Sequence, residues 1–329
     1  MKKGFFFLLP LLFFPLVDQN AYHLDVMTGV GIYVILAMGL NVVVGFAGLL
    51  NLGYAAFFAI GAYTYALLNL HAHFSFWAGL LPAGLVSMMF GFMIGIPSIR
   101  VRGDYLAITT LGFGEIVRIA FNNLSSCTGG PNGLLGIARP KIFIPDFHSG
   151  FHFRLWNFSV NATPYFYLTL ALIAVIAFFL FRLTDSKFGR ALVAIREDEL
   201  AASCMGIPVL RVKLAAFGIS SFIAGIAGAL FAAKQTIVTP DSFDFVLSVL
   251  ILAMVVLGGM GNVWGAALGA LTLGLLPEVL REFAAYRMLI FGVLMILVMI
   301  FRPQGILGGQ LIRRELGRKV REVPDDGPA

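Results

Sequence analysis

No Asp, Glu, Lys or Arg stands between Val26 and Ile99. Other uncharged runs cover Leu155–Phe181, Leu214–Ala233, Phe245–Pro277 and Met288–Phe301. A helix needs about 20 apolar residues to cross ~30 Å of hydrocarbon, and these runs supply that length several times over. Backbone groups in lipid have no water to bond, so such runs must be helical or form a closed barrel. A barrel would show segments of ~10 residues alternating between apolar and polar. These segments are apolar all round, so the barrel is excluded. Only 12% of the chain is charged and its mean hydropathy is +0.92, against roughly 25% charged residues in a soluble domain. A soluble enzyme and a nucleic-acid reader are excluded with it.

Cutting the runs at Gly, Asn, Pro and His clusters gives about ten spans. They are expected at 4–17, 26–44, 53–70, 77–97, 104–122, 163–183, 213–233, 245–261, 263–280 and 287–301. The expected fold class is therefore all-α, a polytopic membrane protein forming one membrane domain over 1–329. The first segment follows Lys2-Lys3, as a signal peptide does. No clean small-x-small cleavage site follows it, so a retained anchor is expected.

Basic residues orient the spans. With the N-terminus inside and strict alternation, 16 of the 23 Lys and Arg fall on the inner side, from Lys2 and Lys3 to Arg318, Lys319 and Arg321. Both termini and the polar tail 309–329 are then cytoplasmic. The basic residues form no single patch, so no nucleic-acid partner is expected. Their charge faces the anionic inner leaflet, which accounts for the high pI.

Two connections are long. Residues 123–162 lie outside and carry Thr128-Gly129-Gly130-Pro131-Asn132-Gly133, a cluster of turn formers. This is either a cap with a tight turn or a docking surface for an external partner through Thr128, Gly129, Gly130 and Asn132. Residues 184–212 lie inside. Gly189 breaks the chain before an amphipathic helix over Ala191–Met205, in which Leu192, Ile195, Glu199, Ala202 and Met205 share a face. Gly206 caps it and Pro208 stops it. Nothing in the chain is evidently available to cover the apolar stripe, so a partner is expected there. Helices lying in the headgroup plane favour Lys and Arg on the polar face, whereas Glu197, Asp198 and Glu199 are acidic. Cys127 and Cys204 fall on opposite sides of the bilayer and cannot pair.

Within the spans, Gly45, Gly48 and Gly53 surround Asn51, and Gly258, Gly259, Gly261 and Gly265 surround Asn262. The spacing suggests an internal repeat. Small residues permit close helix packing or broken helices that expose backbone to a cavity. Glu115 and Arg118, at i and i+3 in the fifth span, neutralise each other on one face. The pair is either structural or faces the pathway, since ionisable residues in spans are costly.

The inner loop, Glu199-Leu200-Ala201-Ala202-Ser203-Cys204-Met205-Gly206, resembles the Glu-Ala-Ala loop of ABC-importer permeases, with Leu200 as an insertion. Four further stretches are similar to the branched-chain amino acid permeases of the LivM type. They are Gly39–Gly53, Gly112–Arg118 with Thr128–Gly133, Val256–Gly265 and Phe301–Gly308. The resemblance implies an inner-membrane subunit of an importer with a second, related permease, two ATPase subunits and a periplasmic binding protein. It implies hydrophobic amino acids as substrate, although the wider subfamily also carries urea and short amides. It assigns ATPase coupling to Gly189, Arg190, Arg196, Glu197, Asp198, Glu199, Ala201, Ala202 and Gly206. Candidate pathway residues are Asn41, Gly45, Gly48, Asn51, Glu115, Arg118, Gly258 and Gly261. The sequence has no Gly-Lys dipeptide and hence no P-loop, so ATP and Mg are expected on the partner ATPases and no cofactor in this chain. The rival reading is an ion-coupled secondary transporter or channel with Glu115 as its ion site. An intramembrane enzyme is disfavoured, because neither His-Glu-x-x-His nor Gly-x-Ser-x-Gly occurs.

Overall fold

The computed structural model describes residues 20–98, 104–146, 152–157 and 162–280, with isolated positions between 289 and 306. The long helices are α1 (Ala21–Asn41), α2 (Tyr54–Ala72), α3 (Phe76–Ser98), α4 (Asp104–Asn123), α6 (Ala162–Asp185), α9 (Val209–Gln235), α10 (Phe245–Gly258) and α11 (Val263–Val279). Short helices α5 (Ser125–Thr128), α7 (Lys187–Glu197) and α8 (Glu199–Cys204) lie in the connections. Six of the described helical segments are long and apolar enough to cross a membrane. The expected ten spans are thus not reached among the described residues. The segment 4–17 and the tail 309–329 lie outside them, and 287–301 is described only at scattered positions.

Contacts at the helix ends fix their directions. At one end Tyr22 Oη, beside the start of α1, donates to Glu278 in the last turn of α11 (2.8 Å). At the other, the end of α1 meets α7 through Gly48 and Arg196. Around α7 gather Arg182, Lys187, Arg190, Arg196, Arg211 and Lys213, so we call this the basic end. Helix α1 starts earlier than expected and runs through Asp25, whose carboxylate is paired with Lys234 Nζ (3.2 Å). Helix α9 starts at Val209 because Pro208 occupies its N-cap. Helix α10 stops at Gly258 because Gly259 adopts φ +114°.

The core forms around α9. Where α9 crosses α2, a Cβ on Gly61 would lie 2.3 Å from Gly225 Cα, and one on Gly228 2.3 Å from the Phe58 carbonyl. Only glycine permits this approach, which is how spans associate without a hydrophobic driving force. Ser87 Oγ of α3 bonds the carbonyls of Phe57 (2.9 Å) and Ser221 (2.7 Å), tying three helices together inside the bundle.

The outer connection is more structured than a tight turn. Strand β1 (Leu134–Leu135) pairs antiparallel with β4 (Ile237–Val238), just after α9. Strands β2 (Lys141–Asp146) and β3 (His152–Asn157) form a hairpin. Among the described residues the fold is all-α apart from these two small ladders, both in connections.

Candidate functional site

Two helix breaks meet near the basic end. Helix α1 passes into a π-helical turn at Val42–Phe46, and residues 47–53 are then non-helical until α2 begins. Irregular backbone at membrane depth must have its polar groups satisfied by protein. Here the donors find partners one by one. Leu52 N–H donates to Thr110 Oγ1 of α4 (3.1 Å), Gly53 N–H to Asn51 Oδ1 (3.0 Å) and Ala55 N–H to Ser248 Oγ of α10 (2.9 Å). The second break, Gly259–Asn262, separates α10 from α11. Gly261 N–H donates to Asn41 Oδ1 (2.9 Å), so the two breaks are joined directly. Asn51 and Asn262 play the same local part, each accepting from the amide two residues on, at 3.0 and 3.1 Å, where a helix begins.

Of the expected pathway residues, Asn41, Gly45, Asn51, Gly258 and Gly261 are brought into this junction and buried, while Gly48 is exposed at its rim. Asn41 is 0% and Asn51 1% exposed, and their Nδ2 atoms have no partner among the described residues. Glu115 and Arg118 do not join this group. They bond each other on α4, and Arg118 Nη1 also reaches Asp241 (3.5 Å) near the end opposite the basic one. Both remain about one-third exposed. The neighbouring Ile116 and Ile119 are exposed too.

The inner loop corrects the sequence reading in three respects. The single helix expected at Ala191–Met205 is two helices, because Asp198 is extended (φ −154°, ψ 113°). The same Asp198 caps α8, its Oδ1 accepting from Leu200 N (2.8 Å) and Ala201 N (3.0 Å). Gly189 does not break the chain but lies buried in the first turn of α7. A Cβ there would meet the Leu183 and Thr184 carbonyls at 2.5 Å. Lastly, the apolar stripe is covered by the chain itself, with Leu192, Ile195 and Ala202 in the main core cluster. The surface turned away carries Arg190, Glu197, Asp198, Leu200, Ala201, Cys204 and Met205. Leu200 is 74% and Met205 84% exposed. Gly206 (φ +81°) closes α8 as expected.

Two basic residues bind this loop to the bundle. Arg196 Nη1 donates to the Gly45 carbonyl at the π-turn. Lys213, 4% exposed near the start of α9, is paired with Glu199 Oε2 (2.7 Å). Lys213 is one of the 16 basic residues that the sequence places on the inner side, and nothing in that reading singled out Thr110 or Ser248. A hydroxyl inside a largely apolar span was the available signal for the last two.

In the outer connection Thr128 is a scaffold. Its buried hydroxyl bonds the Phe121 (2.5 Å) and Leu124 (2.8 Å) carbonyls. Gly130 is buried with it, and Gly129 packs on the Gly133 carbonyl. Of the four residues expected to form a docking surface, only Asn132 is fully exposed.

Residues 22–299 match the family described as "Branched-chain amino acid transport system / permease component". The chain belongs to this family. It is 49% identical to the high-affinity branched-chain amino acid transport system permease protein LivM of Salmonella typhimurium, over 86% of this chain and 69% of that one. It is 28% identical to the probable branched-chain amino acid transport permease protein LivM of Methanocaldococcus jannaschii, over 89% of this chain and 95% of that one. A second permease type, LivH of Escherichia coli, is 27% identical over 84% of this chain and 91% of that one. No solved structure matches. As a member of the branched-chain amino acid permease family, the chain is a multi-pass transport subunit and not an enzyme.

Proposed function

We propose that this permease imports branched-chain amino acids as one of two related permeases in an ATP-driven complex. The basic end faces the cytoplasm, as the excess of Lys and Arg there requires. About ten spans cross the inner membrane, and both termini are cytoplasmic. Two ATPase subunits hold ATP and Mg, and one docks on the outward face of α7–α8. A periplasmic binding protein delivers substrate at the opposite end, near Asn132. Binding of ATP draws the ATPases together, α7 and α8 carry that motion into the bundle, and the pathway opens towards the loaded binding protein. Hydrolysis resets it.

The observation that carries this reading is the exposure of Leu200 and Met205 at the basic end. Two large apolar side chains on a short helix outside the spans, beside three acidic residues, form a surface suited to another protein. The two cysteines test it, since both are free and exposed. A membrane-impermeant maleimide is expected to label Cys127 in intact cells and Cys204 only after permeabilisation. With Cys127→Ser, a thiol cross-linker at Cys204 is expected to capture the ATPase subunit in the purified complex. Labelling of Cys204 from outside, or its cross-linking only within the permease, would overturn the proposal.

A further inference from the structure

Besides the buried Leu192, Ile195 and Ala202, two polar contacts attach the inner loop to the bundle, and they lie on either side of Asp198, the extended residue between α7 and α8. Before Asp198, Arg196 donates to the Gly45 carbonyl at the broken end of α1. After Asp198, Glu199 is held by the buried Lys213 on α9 (2.7 Å). The two attachments thus lead to different spans. The carbonyls at a helix end lack intrahelical partners and carry the negative end of the helix dipole, so a guanidinium is well suited there. Gly48 makes the approach possible. It adopts φ +69°, and a Cβ on it would lie 2.9 Å from Arg196 Cγ. Gly45 in turn touches the second break, where a Cβ would come within 2.4 Å of Gly261 N. Asn41 Oδ1 holds that same Gly261 amide.

We infer that Arg196 is a positioning residue that couples α7 to both helix breaks, rather than a contact for the ATPase. Resting on the importer reading above, the inference assigns Asp198 as the hinge. Rotation there moves Arg196, Gly45 and Gly261 against α9, which Lys213 keeps attached to α8. A push on α7 then shifts the ends of α1 and α10 together. No new bond is needed, only a change in the angle between α7 and α8.

The test uses the complete complex of permeases and ATPases in proteoliposomes with its binding protein and radiolabelled leucine. Arg196→Ala is expected to keep both ATPase subunits and basal ATP hydrolysis. Substrate uptake, and the stimulation of hydrolysis by loaded binding protein, are expected to fall at least tenfold. Arg196→Lys, which still offers a donor to the Gly45 carbonyl, is expected to restore a substantial part of both. Gly48→Ala is expected to reproduce the uncoupling without altering the arginine, and it carries the test if Arg196→Ala does not assemble. Wild-type uptake in either disruptive variant, or loss of ATPase subunits from an otherwise folded Arg196→Ala permease, would overturn the inference. Absence of ATP-dependent uptake in the wild-type complex would instead refute the importer reading.

Discussion

Removing either member of the Glu199–Lys213 pair should have unequal consequences, because the two ends of the pair sit in different surroundings. The Lys213 side chain is 5% exposed, whereas that of Glu199 is 41% exposed. Glu199→Ala leaves an ammonium inside the bundle with its carboxylate partner gone. Breaking a buried pair in this way costs about 3–5 kcal/mol, and the open carboxylate end lets some water reach the site, so about 2–3 kcal/mol is expected. Lys213→Met keeps the volume of the side chain and leaves only a half-exposed carboxylate, which water solvates. Surface pairs contribute about 0–1 kcal/mol, so this variant should lose no more than that. The asymmetry of roughly 2 kcal/mol corresponds to a melting difference on the order of 4 °C, at about 2 °C per kcal/mol for a large chain. Thermal unfolding of the purified permease in detergent measures it. Salt should change the difference little, because a buried charge is poorly screened. A Lys213→Met permease that melts below Glu199→Ala, or two variants that both melt with the wild type, would refute the reasoning.

Two further outcomes follow from close contacts. Gly61→Val places side-chain atoms where Gly225 Cα already stands. It should cost about 3 kcal/mol, the upper end of what overpacking typically costs, and sharply reduce recovery of folded protein on size-exclusion chromatography. Asp198→Ala removes the cap of α8, worth about 1 kcal/mol. Its melting temperature should hardly move, while proteolysis at the α7–α8 joint should accelerate, because that joint is exposed and loses two hydrogen bonds.

Much of the architecture is local information and could be read directly. Uncharged runs mark spans because an unpaired charge in hydrocarbon is expensive at any position. Pro208 and Gly206 mark the end of the inner loop because their backbone preferences act within a few residues. The Asn and Gly clusters at 45–53 and 258–265 were visible as breaks for the same reason. Of the face read as Leu192, Ile195, Glu199, Ala202 and Met205, the first two and Ala202 are buried, whereas Met205 is exposed.

What covers that stripe was not written locally. An apolar face is satisfied by any apolar surface, and only packing decided that the chain's own spans supply it. The same holds for the junction. Asn41 meets Gly261 across 220 residues, and Arg196 meets Gly45 across 151. Amides freed by a helix break can donate to any nearby acceptor, so the choice of Thr110 and Ser248 rests on how the helices stack. Hydropathy set where the chain crosses the bilayer and where it breaks. The tertiary arrangement alone set which broken ends touch, because hydrogen bonds and steric contacts depend on distances in space that the order of residues leaves open.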